Sequence, residues 1–269
     1  MWPPLPVAIV ISWTIWRKVL YRQPEAIQAF LLQTSVLDRL TGELCDAVTG
    51  RDDGQATLEM LERANLFIVP LDGERRWYRY HQLFADLLRY RLDRVMPGQT
   101  TELHRRAYEW YAQSGWVYEA MGHALVAGDF ERAARLVEET DPATMVMRGE
   151  VATLLSWLNG LPDEMVRSRP RLSLSYAWAF YVTNDMDSID PRLQDALRAL
   201  GIDDGDEDEA NWPIAPSAPV DEFLSEISVL RAFVALGTVK THTRRIYSKL
   251  DVSSRTLALA RAREWNLLP

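Results

Sequence analysis

The sequence predicts a mainly α-helical fold with a single β-hairpin, on three observations. Apolar residues recur at helical spacing through most of the 269 residues. Residues 67–71 and 77–80 are rich in β-branched and aromatic side chains and flank a polar turn, a pattern typical of a hairpin. Glycines and prolines separate the helical stretches at short intervals. We therefore expect short helices around one hairpin, followed by an array of helical pairs.

Composition limits the classes of function. A content of 48% hydrophobic and 25% charged residues is ordinary for a globular protein with a core. A net charge of −8 argues against broad binding to nucleic acid or membranes, so any contact with DNA must come from a local basic patch. Cys45 is the only cysteine and is expected to be a buried apolar residue, which suits a reducing cytoplasm. The apolar stretch 7–16 is shorter than the roughly 20 residues of a membrane span, so we predict a cytoplasmic location and no membrane partner.

The first predicted region is winged-helix-like and occupies residues 21–98, after an unassigned segment at 1–20. Its helices are predicted over 24–33, 41–48 and 55–64, before the hairpin, and over 81–92 after it. The helical spacing places Leu58, Leu61 and Ala64 on one buried stripe, and Leu83, Leu87 and Tyr90 on another. Three short helices, a hairpin and a further helix are the elements of a winged helix.

Residues 99–200 are predicted to form antiparallel helical pairs. One apolar stripe precedes Gly115 and another follows it, and Asp129 is placed to cap the next helix. Because none of these helices can bury its apolar face alone, stacking of the tetratricopeptide type is expected, although no clean 34-residue repeat is found. We expect four tryptophans to fill gaps between helices, with an aromatic ligand-binding surface as the alternative: Trp110, Trp116, Trp157 and Trp178.

Residues 201–220 are predicted to be an acidic, proline-rich linker. Six acids occupy the seven positions 203–209, and three prolines follow by residue 219. After this linker, apolar residues at 224, 227, 230 and 234 indicate one amphipathic helix.

The segment 238–263 reverses the charge of the chain. It contains seven Lys or Arg residues and one acid, Asp251. In helical spacing, Val239, Thr243, Ile246 and Leu250 form one apolar stripe, and basic and hydroxyl side chains occupy the opposite face, which is able to enter a major groove. A turn at 251–254 and a second helix at 256–265 are expected to follow. From spacing alone, a solvated basic amphipathic helix is an equally good interpretation.

The string of residues 237–256, with Ala258 and the run 261–264, resembles the second half of a LuxR-type helix-turn-helix. We therefore interpret residues 221–269 as a partial helix-turn-helix segment. The resemblance implies that bases are read by Lys240, Thr241 and Arg244, and that phosphates are contacted by Thr238, His242, Arg245 and Lys249.

Residues 28–37, 77–88 and 124–130 resemble the large ATP-binding regulators of the same family, the maltose-activator type. In that subfamily such segments form winged-helix and superhelical sensor regions between an ATPase and a DNA-binding domain. The sequence departs from the pattern twice. It contains no Gly-x-x-x-x-Gly-Lys-Ser/Thr phosphate loop, and residues 224–236 read as a sensor helix where the first two helices of the helix-turn-helix are expected. We therefore expect a truncated regulator with weak DNA binding.

Sequence motifs predict no active site, metal or cofactor. The four histidines (His81, His104, His123 and His242) show no ligand spacing. His81 is expected to pack or cap a helix, although a histidine near this position faces the nucleotide in related switch proteins. Arg75, Arg76 and Arg79 on the hairpin suggest a second DNA site, whereas in the resembling family this module links domains.

The leading hypothesis is a non-enzymatic, DNA-binding transcription regulator of LuxR type. The alternative is a helical-repeat module that binds a protein or an effector and has no useful DNA binding. In both cases an effector or protein partner is expected on the helical-repeat region.

Overall fold

The computed structural model describes residues 20, 22–140, 142–202, 218–250, 257 and 261, and within helix 218–250 it leaves out most side chains beyond residue 235. The chain divides into two compact units, Met1–Leu136 and Val137–Pro269. This division does not coincide with the predicted boundary between residues 98 and 99, and the predicted domain limits stay a prediction. Of the unassigned segment 1–20 only Leu20 is described, and residues 203–217 of the predicted linker lie outside the described residues. The last three linker positions, 218–220, already belong to the helix that runs to residue 250, so the predicted linker extends too far.

The first unit begins with three short helices: α1 (Glu25–Thr34), α2 (Gly42–Thr49) and α3 (Gly54–Arg63). A two-stranded antiparallel sheet follows, formed by β1 (Ile68–Pro70) and β2 (Tyr78–Tyr80), and then α4 (Gln82–Val95). The order agrees with the sequence prediction, and most of the predicted ends lie within one residue of the observed ones. The winged-helix prediction is therefore confirmed.

The hairpin is closed by local hydrogen bonds and attached to the helices by longer ones. The Asp72 carboxylate accepts hydrogen bonds from the backbone N–H groups of Arg76 and Trp77, at 2.9 and 3.1 Å. Leu40 and Tyr78 exchange two backbone hydrogen bonds of 2.8 and 2.9 Å, so β2 is paired on both sides. Both tyrosines of β2 are buried in the core of the unit. These contacts fix the hairpin on the three-helix base.

The buried face of α4 differs from the prediction. Leu83 and Tyr90 are 50% and 43% exposed, so the predicted stripe with Leu87 is wrong. The buried residues are instead Phe84, Ala85, Leu88 and Leu92. Both sets have helical spacing, and the core of the unit selects the one that contains Phe84, whose ring lies 5.7 Å from that of Tyr80. Ala64 is likewise exposed, although Leu58 and Leu61 are buried as predicted.

Two helices pack against this winged-helix base as an antiparallel pair, α5 (Gln99–Gln113) and α6 (Val117–Ala127). The pair turns at Gly115, whose φ of +77° is readily adopted by glycine. The predicted stripes are buried between them, among them Leu103, Ala107, Tyr111, Ala120 and Ala124. In α7 (Phe130–Glu139), the Asp129 carboxylate accepts a hydrogen bond from the Arg132 N–H, as predicted for a capping residue.

The second unit is helical throughout its described part. Its helices are α8 (Pro142–Met147), α9 (Val151–Asn159), α10 (Asp163–Arg167), α11 (Pro170–Thr183), α12 (Ile189–Ala199) and α13 (Ala218–Leu250), with a short 3-10 turn at Met186–Ser188. Its core lies between α11, α12 and the first half of α13. Helical packing of this kind fits the predicted tetratricopeptide-like arrangement, and the mainly α fold class is confirmed.

Candidate nucleic-acid interface and winged-helix pocket

The predicted recognition segment lies in the second half of α13. The helix continues through Gly237 to Leu250 without interruption, so the backbone of positions 238, 240–242, 244, 245 and 249 is helical. The side chains of Lys240, Thr241, Arg244, Thr238, His242, Arg245 and Lys249 lie outside the described residues. The predicted second helix also lies outside them, apart from the helical residues Leu257 and Arg261. The assignment of base-reading and phosphate-binding residues therefore stays a prediction.

The first half of α13 is anchored to the second unit by an apolar stripe. Leu224, Ile227 and Leu230 are buried at 4%, 3% and 0% exposure, against a cluster that includes Leu174 and Leu193. This is the stripe that the sequence predicts. It holds the start of the long helix in a defined position against α11 and α12.

Polar contacts complete this anchor at its edge. The Trp178 indole N–H donates a 2.5 Å hydrogen bond to Glu226 on α13. The Arg171 guanidinium lies 3.4 Å from a Glu222 oxygen and 5.1 Å from the Phe223 ring centroid. Trp178 was predicted to fill a gap between helices, and this packing role is observed.

The arginines of the hairpin are largely occupied by acidic neighbours. Arg75 forms an ion pair with Glu62 at 3.1 Å, and Arg76 forms one with Glu74. Arg79 is exposed, and no ion pair to it is found within the described part of the chain. Since two of the three guanidinium groups already have carboxylate partners, the hairpin offers little free positive charge for a second DNA site.

A cavity of about 680 Å³ opens beside the hairpin. Its wall combines the apolar Leu37, Val69 and Leu83 with the polar Arg79, His81 and Arg89. His81 occupies the position before the first residue of α4, as expected, but it is exposed and its side chain makes no capping hydrogen bond. The predicted capping role of this side chain is therefore wrong. Asp38 and Asp86 also line this cavity, so its two arginines are balanced by two carboxylates and the lining does not favour an anionic ligand.

Arg89 makes several of the polar contacts in this pocket wall. Its guanidinium donates to the Ser35 carbonyl at 2.8 Å and to Asp38 at 2.7 Å, and it lies 3.5 Å from Asp86. The planar guanidinium joins α4 to the loop before α2 through several bonds at once. This network shapes the pocket and consumes most of the charge of Arg89.

Two histidines that appear unrelated in sequence lie in contact. The Nδ1 atoms of His104 on α5 and His123 on α6 are 2.7 Å apart. Sequence reasoning missed this pair, although the signal was present: the two residues lie eleven positions before and eight positions after Gly115, where an antiparallel helix pair turns. Among the residues that the structure describes, no group of three or more His, Cys, Asp and Glu side chains is placed to hold a metal.

Cys45 is buried, as predicted, and burial raises the pKa of its thiol, so the residue is a packed apolar group with little thiolate character. In the described ranges, no helix combines the length and the apolar character that a membrane crossing requires.

Comparison with known proteins agrees with the fold. Residues 16–100 match the family model described as the MalT winged helix domain. The first unit therefore contains a winged-helix domain of the MalT type.

Similarity to individual proteins extends beyond this domain. The chain is 34% identical over 195 residues to the HTH-type transcriptional regulator MalT of Vibrio campbellii, a match that covers 70% of this chain and 21% of that protein. It is 32% identical over 224 residues to MalT of Yersinia pestis, covering 83% of this chain and 23% of that protein. It is also 43% identical over 157 residues to the serine/threonine-protein kinase PknK of Mycobacterium tuberculosis, covering 58% of this chain and 14% of that protein.

The chain thus spans less than a quarter of the length of each of these relatives. The resemblance to maltose-activator-type regulators is confirmed for the winged helix by the family match. The matches to the MalT proteins are longer than this domain, so the similarity also includes helices beyond it. The expectation that the chain is not an enzyme stays a prediction.

Proposed function

We propose that this chain is a cytoplasmic DNA-binding transcription regulator of LuxR type, whose base-reading side chains are Lys240, Thr241 and Arg244. Phosphates are contacted by Thr238, His242, Arg245 and Lys249. The observation that carries the proposal is the single helix α13, which joins the anchored residues 224–230 to the basic segment beyond residue 237. The similarity to proteins named HTH-type transcriptional regulators supports the same class.

The register of α13 supports access to DNA. A helix advances about 100° per residue, so positions 240 and 244 are centred about 115° from the anchored positions 224, 227, 230 and 234, whereas position 241 lies about 35° from that centre and continues the anchored stripe. The second apolar set, at 239, 243, 246 and 250, is centred about 135° away from the same anchor. The contacts that bury the first half of the helix therefore lie on a different side from Lys240 and Arg244, but on the same side as Thr241.

The expected affinity is low. Recognition at particular bases needs the reading helix to be held at a fixed depth by supporting helices. In this chain the residues before Gly237 instead belong to the helix that packs on the second unit. We expect weak, mostly electrostatic binding, with dissociation constants on the order of 10⁻⁴ to 10⁻⁶ M.

A salt-dependent titration of the whole chain with duplex DNA tests this proposal. Four phosphate contacts predict a log–log slope of about −3.6 against salt concentration. Lys240→Ala and Arg244→Ala should each weaken binding. Arg75→Ala is the matched control, because Arg75 already pairs with Glu62, and it should leave affinity unchanged.

A larger effect of Arg75→Ala than of Lys240→Ala would contradict the assignment and would move the DNA site to the hairpin. A slope near zero would contradict DNA binding altogether.

The second candidate is a helical-repeat module that binds a protein or an effector. It is favoured by one aromatic contact on the first unit, where the Trp116 ring is 38% exposed and lies 5.4 Å from Trp77. This tryptophan was predicted to fill a gap between helices, and it is instead partly open to solvent. Under this candidate, removing Lys240 or Arg244 changes no binding property of the protein.

A further inference from the structure

The His104–His123 contact links α5 to α6 through a hydrogen bond that depends on protonation. The two Nδ1 atoms are 2.7 Å apart, and the ring centroids are 4.9 Å apart. A bond at this distance requires one Nδ1 to carry a hydrogen and the other to present a lone pair. When both rings are neutral, the pair therefore holds two different tautomers.

Aromatic packing and two opposite charges surround the pair. Tyr111 stacks on His123 with centroids 5.3 Å apart and an interplanar angle of 20°. Arg89 from α4 and Asp38 from the loop before α2 are the charged groups that act on both rings, and these two are bonded to each other at 2.7 Å. Glu119 and Arg39 act on the stacked tyrosine, as does the buried Cys45.

We propose that His104 and His123 form an acid-sensitive latch between α5 and α6, which is closed while at most one ring is protonated and opens when both are. In the doubly protonated state both Nδ1 atoms carry hydrogens, so neither can accept the bond. Two positive charges at this separation also repel each other, while the charge of the nearby Arg89 is offset by its partner Asp38.

The direction of the pH dependence follows from the histidine pKa values. Burial lowers the pKa of both rings, and the charge of His104 adds to the effect on His123, whose pKa falls to about 4. The unfolded chain, with histidine pKa values of about 6.5, therefore binds more protons than the folded one below that pH. The stability contributed by the latch is fully present above pH 6.5 and is lost as the pH falls through 4.

Opening of the latch would also affect the winged helix, because α5 contacts both α6 and the winged-helix base. α5 packs against α1, α2 and α4, and the Arg89–Asp38 pair that faces the histidines also lines the pocket beside the hairpin. Protonation of the pair therefore weakens the contact between α6 and α5, a helix that itself packs on the winged-helix base.

Hydrogen exchange of the full chain, measured by mass spectrometry at pH 4.5 and 7 and corrected for intrinsic rates, tests the latch. In the wild type, protection of the α6 amides should fall on the order of tenfold or more at the lower pH, relative to the amides of α11. The double variant His104→Asn/His123→Asn removes both titrating rings while amides remain near the Nδ1 positions, so this pH dependence should disappear. His81→Asn, at an exposed histidine outside the pair, should retain it.

A second measurement on the wild type keeps the test decisive if a variant fails to fold. Nitrogen-15 NMR of the imidazoles at pH 7.5 should show one ring of the pair protonated at Nδ1 and the other at Nε2. Two Nε2–H tautomers, or α6 protection that is independent of pH in the wild type, would overturn the proposal. Loss of protection that persists in the double asparagine variant would also overturn it.

Discussion

At the scale of single residues, the tightest constraint in the first unit is the approach of α3 to α2. The Gly54 N–H donates a 2.7 Å hydrogen bond to the Asp46 carboxylate. A β-carbon added at Gly54 would lie 2.5 Å from the Gly42 carbonyl oxygen and 2.7 Å from the Asp46 oxygen. Neither atom can move without breaking a helix start or this bond, so only glycine fits.

We predict that Gly54→Ala destabilises the first unit by about 1–3 kcal/mol, the usual cost of overpacking. The gain in helix propensity from alanine is smaller than this cost. Thermal or urea unfolding of the full chain measures the effect. Gly73→Ala is the control, because nothing lies within 4 Å of the added carbon at Gly73. Equal stability of the two variants would show that α2 and α3 do not approach as described.

At the scale of elements, α13 matters most, because its two halves have different environments. The first half carries buried Leu224, Ile227 and Leu230, whereas the proposed DNA-reading positions follow Gly237. A helix of 33 residues is about 50 Å long. Its orientation therefore depends on the short stripe that fastens its beginning to α11 and α12.

We predict that Leu230→Ala lowers the unfolding free energy of the second unit by about 2–5 kcal/mol, since Leu230 is fully buried. Val229→Ala is the matched control. Val229 precedes Leu230 in the same helix but is 44% exposed, and a surface change of this kind alters the free energy of unfolding by no more than about 0.5 kcal/mol. Urea denaturation followed by circular dichroism distinguishes them. If both variants lose the same stability, the stripe does not anchor α13.

At the scale of the whole molecule, the predicted linker 201–220 connects α12 to α13, whose buried residues share one core, so it is a connection within the second unit and does not join two separately folded parts. Limited digestion with a glutamate-specific protease should cut first at Glu207 or Glu209. Regular structure is disfavoured there because the six acidic side chains repel one another and because prolines follow them. Glu109, Glu119 and Glu131 serve as internal controls, since they lie within described helices. Intact-mass analysis of the fragments locates the first cut. Early cleavage between Leu103 and Val137 would contradict this prediction.

Within residues 21–98, the sequence by itself determined the order, type and approximate ends of the helices and of the hairpin. These are local properties: Thr41 caps α2 through its own hydroxyl, and Asp72 closes the hairpin over a few residues. The anchoring stripe of α13 was also predictable, because residues 224, 227 and 230 form one apolar face at helical spacing.

Only the tertiary structure decided which faces and which side chains meet. In α4, Leu83 and Phe84 begin two apolar sets of helical spacing, and the edge-to-face contact of Phe84 with Tyr80 decides which set is buried. His104 and His123 are 19 positions apart, and they meet because α5 and α6 fold back on each other at Gly115. Periodicity describes one helix at a time, whereas burial and proton sharing depend on the surface that a second element presents.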